Sequence, residues 1–162
     1  MGRFEEIYEE HREPVRAFVR RRAPESVVDD VVSETFLVCW SKLDRVPNEP
    51  LPWLYAVARK TLANHRRKLE REQRLGAAGA AFTEMEPLGD TALGAAFAAL
   101  SERDREVLRL IAWEGVSLGQ AAVVLSCSAL ACRVRYHRAK TRLARRLEAT
   151  ETFRPDLKGA TR

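Results

Sequence analysis

This sequence lacks the features that mark disulfide-bonded, zinc-bound and membrane-spanning proteins. It has three cysteines, Cys39, Cys127 and Cys132, and no CxxC pair, so neither a disulfide framework nor a structural zinc site is expected. No apolar run approaches the roughly 18 residues that a membrane span needs, and the N-terminus MGRFEEIYEEHREP lacks the apolar stretch of a secretion signal. We therefore expect a cytoplasmic protein without membrane insertion, with small buried thiols.

Familiar catalytic motifs are missing as well. The chain has no GxGxxG, no P-loop, no HExxH and no nucleophile elbow. Its carboxylates follow predicted helix surfaces and form no convergent pair. These absences predict a protein with no catalytic site of its own, no cofactor and no bound metal.

Positive charge is modest overall but concentrated towards the C-terminal end. The 162 residues carry a net charge of +5, and residues 1–75 are mixed, with 15 Lys or Arg against 13 acids. Residues 128–148 hold seven Lys or Arg against a single acid, Glu148. Because solvated helices usually interleave the two signs, the basic run indicates a polyanion as partner.

Apolar residues recur at helical spacing almost throughout, and the period-two alternation of strands is never sustained. Three helices are predicted in the first half, the first of them kinked or restarted at Pro14. A loop with three prolines, Leu43–Pro52, precedes the third helix, which ends near Arg74. The apolar face predicted for the third helix comprises Trp53, Leu54, Val57, Ala58, Thr61 and Leu62.

The second half follows residues 75–93, which begin with a Gly- and Ala-rich stretch and are predicted to be a flexible linker. Ser101 is predicted to cap a helix that ends at Gly115. Ser117 then caps a short helix, and a long basic helix follows the turn at Ser126. A short helix, a tight turn and a longer basic helix form a helix-turn-helix, which presents cations to the major groove and its phosphates.

These segments resemble a known family. LSERDREVLRLIAWEGVSLGQAAVVLSCSALACRVRYHRAKTRLARRL resembles region 4 of bacterial sigma factors, and DDVVSETFLVCW and PWLYAVARKTLANHRRK resemble region 2. Two small helical regions joined by a linker are the plan of the extracytoplasmic-function (ECF) class of the sigma-70 family. The resemblance implies an all-α fold with region 2 over 1–74, a linker over 75–93, region 4 over 94–148 and a C-terminal tail over 149–162.

The resemblance also implies a function. A sigma factor of this class binds core RNA polymerase, through the β′ clamp helices and the β flap, and directs promoter recognition, strand opening and transcription initiation. Its DNA partners are a single-stranded −10 element and a duplex −35 element, and an anti-sigma factor is an expected partner. Two other hypotheses remain open: a helix-turn-helix regulator that never joins polymerase, and a helical module that acts as a decoy for anti-sigma proteins.

The resemblance assigns roles to three groups of residues. The residues expected to bind core polymerase are Asp29, Asp30, Ser33, Glu34 and Leu37. The residues expected at the −10 element are Asn48, Arg59, Lys60, Asn64, Arg66, Arg67 and Lys68. The residues expected at the −35 element are Ser128, Arg133, Arg135, Arg138, Lys140 and Arg142. Trp53 and Tyr55 are further candidates for stacking on bases, with a place in the core favoured for Trp53.

Three positions and one short stretch depart from the pattern of the family. Ser33 stands where Gln is usual, Lys60 where Asn is usual, and Ser126 where the turn of the helix-turn-helix usually has Gly. Since Gly adopts positive φ without penalty, Ser126 predicts a slightly different turn. The last departure is the start of the basic helix, Ser128–Ala131, whose small residues predict an unusual promoter preference.

Overall fold

The computed structural model describes residues 1–76 and 88–152. Most of the predicted linker (77–87) and of the predicted tail (153–162) therefore lies outside the described residues. The described residues form seven α-helices and no strand, so the prediction of an all-helical fold of two small domains is confirmed. The helices are α1 Arg3–Arg20, α2 Glu25–Ser41, α3 Pro50–Arg74, α4 Ala92–Ala98, α5 Glu102–Ala112, α6 Leu118–Leu125 and α7 Ala129–Thr152.

The N-terminal domain is a bundle of α1, α2 and α3. The helices pack through faces spaced at three and four residues, as amphipathic helices do. On α2 the buried residues are those of the predicted face, Val28, Val31, Val32, Thr35, Phe36 and Cys39. A 3₁₀ turn at Leu43–Arg45 begins the loop to α3, and Arg3 holds this loop by donating to the carbonyls of Leu43 and Val46.

The C-terminal domain contains α4 to α7, with α5 and α6 packed against the long α7. The predicted caps are present: Ser101 Oγ accepts the N–H of Asp104, and Ser117 forms a capping box with Gln120. Such caps satisfy the unpaired N–H groups at a helix start. They define two short helices that hold one side of α7, so that its other side remains outward.

Three details differ from the expectations. A single helix, α1, runs through Pro14, so the predicted restart is wrong. On α3 Tyr55, a candidate for stacking on bases, is buried and stacks on Phe18 with ring centroids 4.5 Å apart, whereas Trp53 is partly buried and packs against the core, as favoured. Helical order in the second domain begins at Ala92, where Thr91 caps α4, inside the range expected for the linker.

The two domains contact each other through buried ion pairs and through the packing of α3 on α6. Arg22, in the turn between α1 and α2, is 4% exposed. It donates to Glu106 of α5 at 3.0 Å and to Glu114 at 3.2 Å, and Arg21 donates to Glu114 at 2.7 Å. We call Arg21, Arg22, Glu106 and Glu114 the interdomain ion cluster.

No single helix in the described ranges is long and apolar enough to cross a bilayer. Only α6 and the following helix taken together are long and apolar enough, and a bend of 103° separates them.

Candidate polymerase and nucleic-acid interfaces

The five residues predicted to bind polymerase share the outward face of α2. Asp29, Asp30, Ser33, Glu34 and Leu37 are all exposed, because valines of the core occupy the opposite face. Leu37 is 65% exposed. A large apolar side chain among acids suits a protein interface, where apolar contact is combined with charge that sets orientation.

The acids of this face are held in place by neighbouring helices. The carboxylate of Asp29 accepts a hydrogen bond from Arg16 of α1, and Nε2 of His65 on α3 lies 2.9 Å from Oε1 of Glu34. The sequence assigned no role to His65. These contacts join the face to both neighbouring helices, so its charges have fixed positions relative to the whole domain.

Trp40 extends the same face and was missed by the sequence analysis. It is 60% exposed, lies one turn after Leu37, and contacts Phe4 edge to face with centroids 5.0 Å apart. The signal was available, since Leu37 and Trp40 are three residues apart and both fall on the acidic side of the helix.

The residues predicted at the −10 element lie on α3 and in the loop before it. Lys60, Asn64 and Arg67 follow one another at helical spacing on an exposed stripe, and Arg67 donates to Oδ1 of Asn64. Arg59 and Lys68 are exposed on either side, and Asn48 is exposed in the loop. This arrangement offers amide groups for base edges, surrounded by cations for phosphates.

Two residues of this region make contacts within the protein. Tyr55, a candidate for stacking on bases, is 3% exposed and lies in the core against Phe18, so it presents no face to DNA. Burial, with a contribution from Glu114, raises the pKa of Tyr55 to about 12. Arg66 contacts Glu102 of α5 at 2.7 Å, so it joins the two domains.

A cavity of about 490 Å³ lies between the two domains, and cations from both of them line it. Its lining includes Arg59, Lys60 and Arg66 of α3, Arg135 of α7, and the carboxylates Glu102 and Glu106. The structure therefore brings part of the predicted −10 surface together with one residue predicted for the −35 element. The two sets are not separate surfaces in this arrangement.

The other residues predicted at the −35 element lie along α7. Ser128 caps its start, with Oγ accepting the N–H of Ala131 at 3.1 Å. Arg133, Arg138 and Lys140 are exposed, which suits contacts with phosphates and base edges. Arg142 is exposed as well, and its Nη1 lies 2.7 Å from a carboxylate oxygen of Asp104.

Two apolar residues on the outward face of α7 were also missed. Leu130 is 69% exposed and Val134 is 40% exposed. They lie four residues apart on the side opposite the buried Cys132 and Ala139. The spacing alone places them outward once Cys132 and Ala139 are assigned to the core.

Two features that resemble reactive sites are structural here. The sequence GVSLG at 115–119 spells GxSxG, a match that the sequence analysis overlooked, but Ser117 lies between two helices and its hydroxyl accepts the N–H of Gln120. A nucleophile elbow needs a strand-to-helix turn. Burial raises the pKa of the Cys39 and Cys132 thiols, so less of the reactive thiolate is present.

Comparison with known families gives two matches along the chain. Residues 7–72 match Sigma-70 region 2, and residues 90–143 match Sigma-70, region 4. The ECF RNA polymerase sigma factor EcfG of Rhodopseudomonas palustris (strain TIE-1) is 31% identical over 138 residues, which covers 79% of this chain and 76% of that protein.

Solved structures show the same arrangement of helices. CnrH, in complex with the cytosolic domain of CnrY, is 28% identical with a TM-score of 0.61, and the match covers 90% of this chain and 88% of that one. The sigma factor RpoE from Bartonella quintana, in complex with the anti-sigma factor NepR, shares the fold with a TM-score of 0.66 at 24% identity, covering 90% and 96%.

Proposed function

This chain belongs to the ECF class of the sigma-70 family, and we propose that its two domains divide promoter recognition between them. It is an alternative sigma factor that acts with RNA polymerase. The observation that supports this proposal is that one chain contains both region 2 and region 4, and that each region has a helix with exposed cations.

The face of α2 is proposed to bind the β′ clamp helices of core polymerase. Exposed Asp30 and Leu37 lie beside Trp40, which adds a second large apolar side chain. Interface centres are rich in aromatic residues, so Trp40 and Leu37 form the apolar centre and Asp30 and Glu34 set the orientation. The β flap is the proposed contact of the C-terminal domain.

The DNA contacts are proposed to fall on two helices. Asn48 and the stripe Lys60, Asn64 and Arg67 on α3 are placed at the single-stranded −10 element. Arg133, Arg138 and Lys140 on α7 are placed at the duplex −35 element, with Ser128 at the helix start. Arg59, Lys68 and Arg135 contribute charge to phosphates, and Arg66 does so on leaving Glu102.

Three further aspects complete the proposal. The chain supplies promoter specificity without a catalytic centre, and the polymerase carries out the chemistry. It acts in the cytoplasm, where the polymerase transcribes. An anti-sigma factor regulates it, as suggested by the complex of CnrH with the cytosolic domain of CnrY.

Transcription with purified components tests the function as a whole. Run-off transcription with core polymerase on genomic fragments should yield discrete transcripts that depend on this chain, and their start points would reveal the promoter. Duplex binding without any polymerase-dependent transcript would favour a regulator that acts without joining polymerase and would overturn the proposal.

Charge reversal on α2 tests the polymerase interface. The variant Asp30→Arg/Glu34→Arg should lose co-purification with core polymerase by at least about tenfold, because several like charges would meet across the interface. The matched control is Glu6→Arg/Glu10→Arg, which makes the same charge change at the same spacing on exposed positions of α1. Equal retention of polymerase by both variants would refute this interface.

A further inference from the structure

The outward face at the start of α7 is apolar where a solvated helix would be polar. Leu130 and Val134 are 69% and 40% exposed and lie one turn apart. Ser128 and Ala131 beside them are also exposed, and both are small. The first two turns of the helix therefore present a narrow apolar stripe with little bulk around it.

Cations border this stripe on both sides. Arg133 and Arg138 are exposed and fall on either side of Val134 around the helix. The partner that complements such a face carries negative charge at its edges and small apolar groups between them. The major groove of DNA has this composition, because phosphates line its edges and the thymine C5-methyl is the apolar group that its floor displays.

We infer, on the basis of the proposed function, that Leu130 and Val134 select thymine in the −35 element by contacting its methyl groups. Arg133 and Arg138 neutralise the flanking phosphates. Ser128 and Ala131, being short, let the helix enter the groove closely enough for the apolar contact. Specificity at these positions thus comes from apolar contact with methyl groups, and the arginines supply affinity.

Replacement of thymine by deoxyuridine tests this inference, because it removes the methyl group and keeps the pairing. The template is a promoter recovered by run-off transcription, with each −35 thymine replaced in turn. For holoenzyme with the natural chain, at least one replacement should weaken binding about fourfold, the value of one buried methyl group. With Leu130→Ala or Val134→Ala, at least one such replacement should have no effect.

Val123→Ala serves as the matched control, since Val123 is equally apolar and 51% exposed but lies on α6. This control should keep the full fourfold sensitivity to deoxyuridine. Circular dichroism melting of each variant verifies folding. If one alanine variant fails to fold, the other still tests the inference.

Three results would overturn the inference. They are a −35 element without thymine, a natural chain insensitive to every replacement, or alanine variants as sensitive as the natural chain; the last would indicate a protein contact for the stripe. All of these require that the holoenzyme transcribes from the promoter. A chain that supports no transcription refutes the proposed function instead, so the two failures are distinguishable.

Discussion

Ser126 is the residue at which the sequence departs most clearly from ordinary helix chemistry. It adopts φ 53° and ψ 46°, the left-handed conformation that Gly normally takes. Its N–H bonds to the Val123 carbonyl and the next N–H, of Cys127, bonds to the Ala122 carbonyl, which is the Schellman pattern. The expected change of turn is therefore wrong, because Ser126 adopts the conformation that favours Gly.

Replacement of this serine by glycine should stabilise the protein. A left-handed L-residue costs about 1–2 kcal/mol, and the greater freedom of glycine in the unfolded chain offsets about 0.4–1 kcal/mol. We expect Ser126→Gly to raise the unfolding free energy by about 0.5–1 kcal/mol, measured by urea denaturation. Because the turn keeps its conformation, Ser126→Gly should leave the choice of promoter unchanged.

Gly115 provides the converse control, in which a glycine with positive φ is replaced by alanine. It has φ 65° after α5, and a Cβ there would meet no atom within 4 Å, so Gly115→Ala tests backbone strain alone. This variant should lose about 1 kcal/mol. If Ser126→Gly lost stability as well, the left-handed turn at Ser126 would be refuted.

Tyr55 gives the protein a defined response to alkaline pH. Its pKa is raised to about 12 by burial, with a contribution from Glu114, whereas an unfolded tyrosine titrates near pH 10. Above pH 10 the unfolded chain loses this proton while the folded chain keeps it, so the unfolded state is stabilised relative to the folded state. The stability that Tyr55 contributes is complete below pH 10 and is lost as pH rises to about 12.

The variant Tyr55→Phe should therefore lose less stability than the natural chain between pH 9 and pH 12. The difference should approach about 2 kcal/mol, measured by denaturant unfolding at each pH. Tyr8→Phe is the matched control because Tyr8 is only partly buried. Parallel pH curves for the natural chain and Tyr55→Phe would contradict the assignment.

At the scale of elements, one ion pair links α5 to α7 in addition to the packing between the two helices. The side chain of Asp104 is 6% exposed and accepts from Arg142 at 2.7 Å, while its N–H donates to the Ser101 cap. Arg142 was predicted to bind DNA at the −35 element. In the structure it pairs with a buried carboxylate at the start of α5 while its own side chain stays about half exposed, so the contact with DNA stays a prediction.

Removal of Arg142 should thus destabilise the C-terminal domain before it affects DNA. Arg142→Ala leaves the Asp104 carboxylate buried without this partner, at a cost of about 1–2 kcal/mol given the half-exposed arginine. The double variant Asp104→Asn/Arg142→Ala should recover part of this loss. If Arg142→Ala left thermal stability intact and weakened only −35 binding, the original DNA-binding role would be restored.

Helix identity and core faces were predictable because they follow from local spacing. The buried face of α2 and the caps Ser101 and Ser117 depend on residues within a few positions of one another. The burial of Tyr55 was not predictable, since it depends on the ring of Phe18 on α1. Likewise the sequence does not distinguish Arg142 from the other cations of α7, because its ion pair with Asp104 depends on the fold.

At the scale of the whole molecule, the two domains are held together by charges that spacing along the chain does not reveal. The side chain of Glu114 is fully buried between Arg21 and Arg22. Burial alone would lower the pKa of Arg22, but Glu106 and Glu114 outweigh it and the net shift is upward. The cluster connects positions more than 80 residues apart, which is why no local sequence pattern predicted it.

This arrangement limits what the DNA-binding residues can reach. Arg135 lines the interdomain cavity of about 490 Å³ together with Arg59 and Lys60. A DNA duplex does not enter such a space, so in this arrangement Arg135 meets DNA only from the outward side of α7, where it also lines a groove with Leu130 and Val134.

Neutralising the cluster should separate the domains. In Glu106→Gln/Glu114→Gln, Arg22 remains buried without a carboxylate, and breaking a buried pair costs about 3–5 kcal/mol. We expect a larger radius of gyration by small-angle X-ray scattering and tighter binding of −35 duplex by the chain alone. The control Glu102→Gln removes only the partly exposed pair with Arg66, at most about 1 kcal/mol, and should leave the scattering unchanged. An unchanged radius in the double variant would mean that the packing of α3 on α6 holds the domains without the ion cluster.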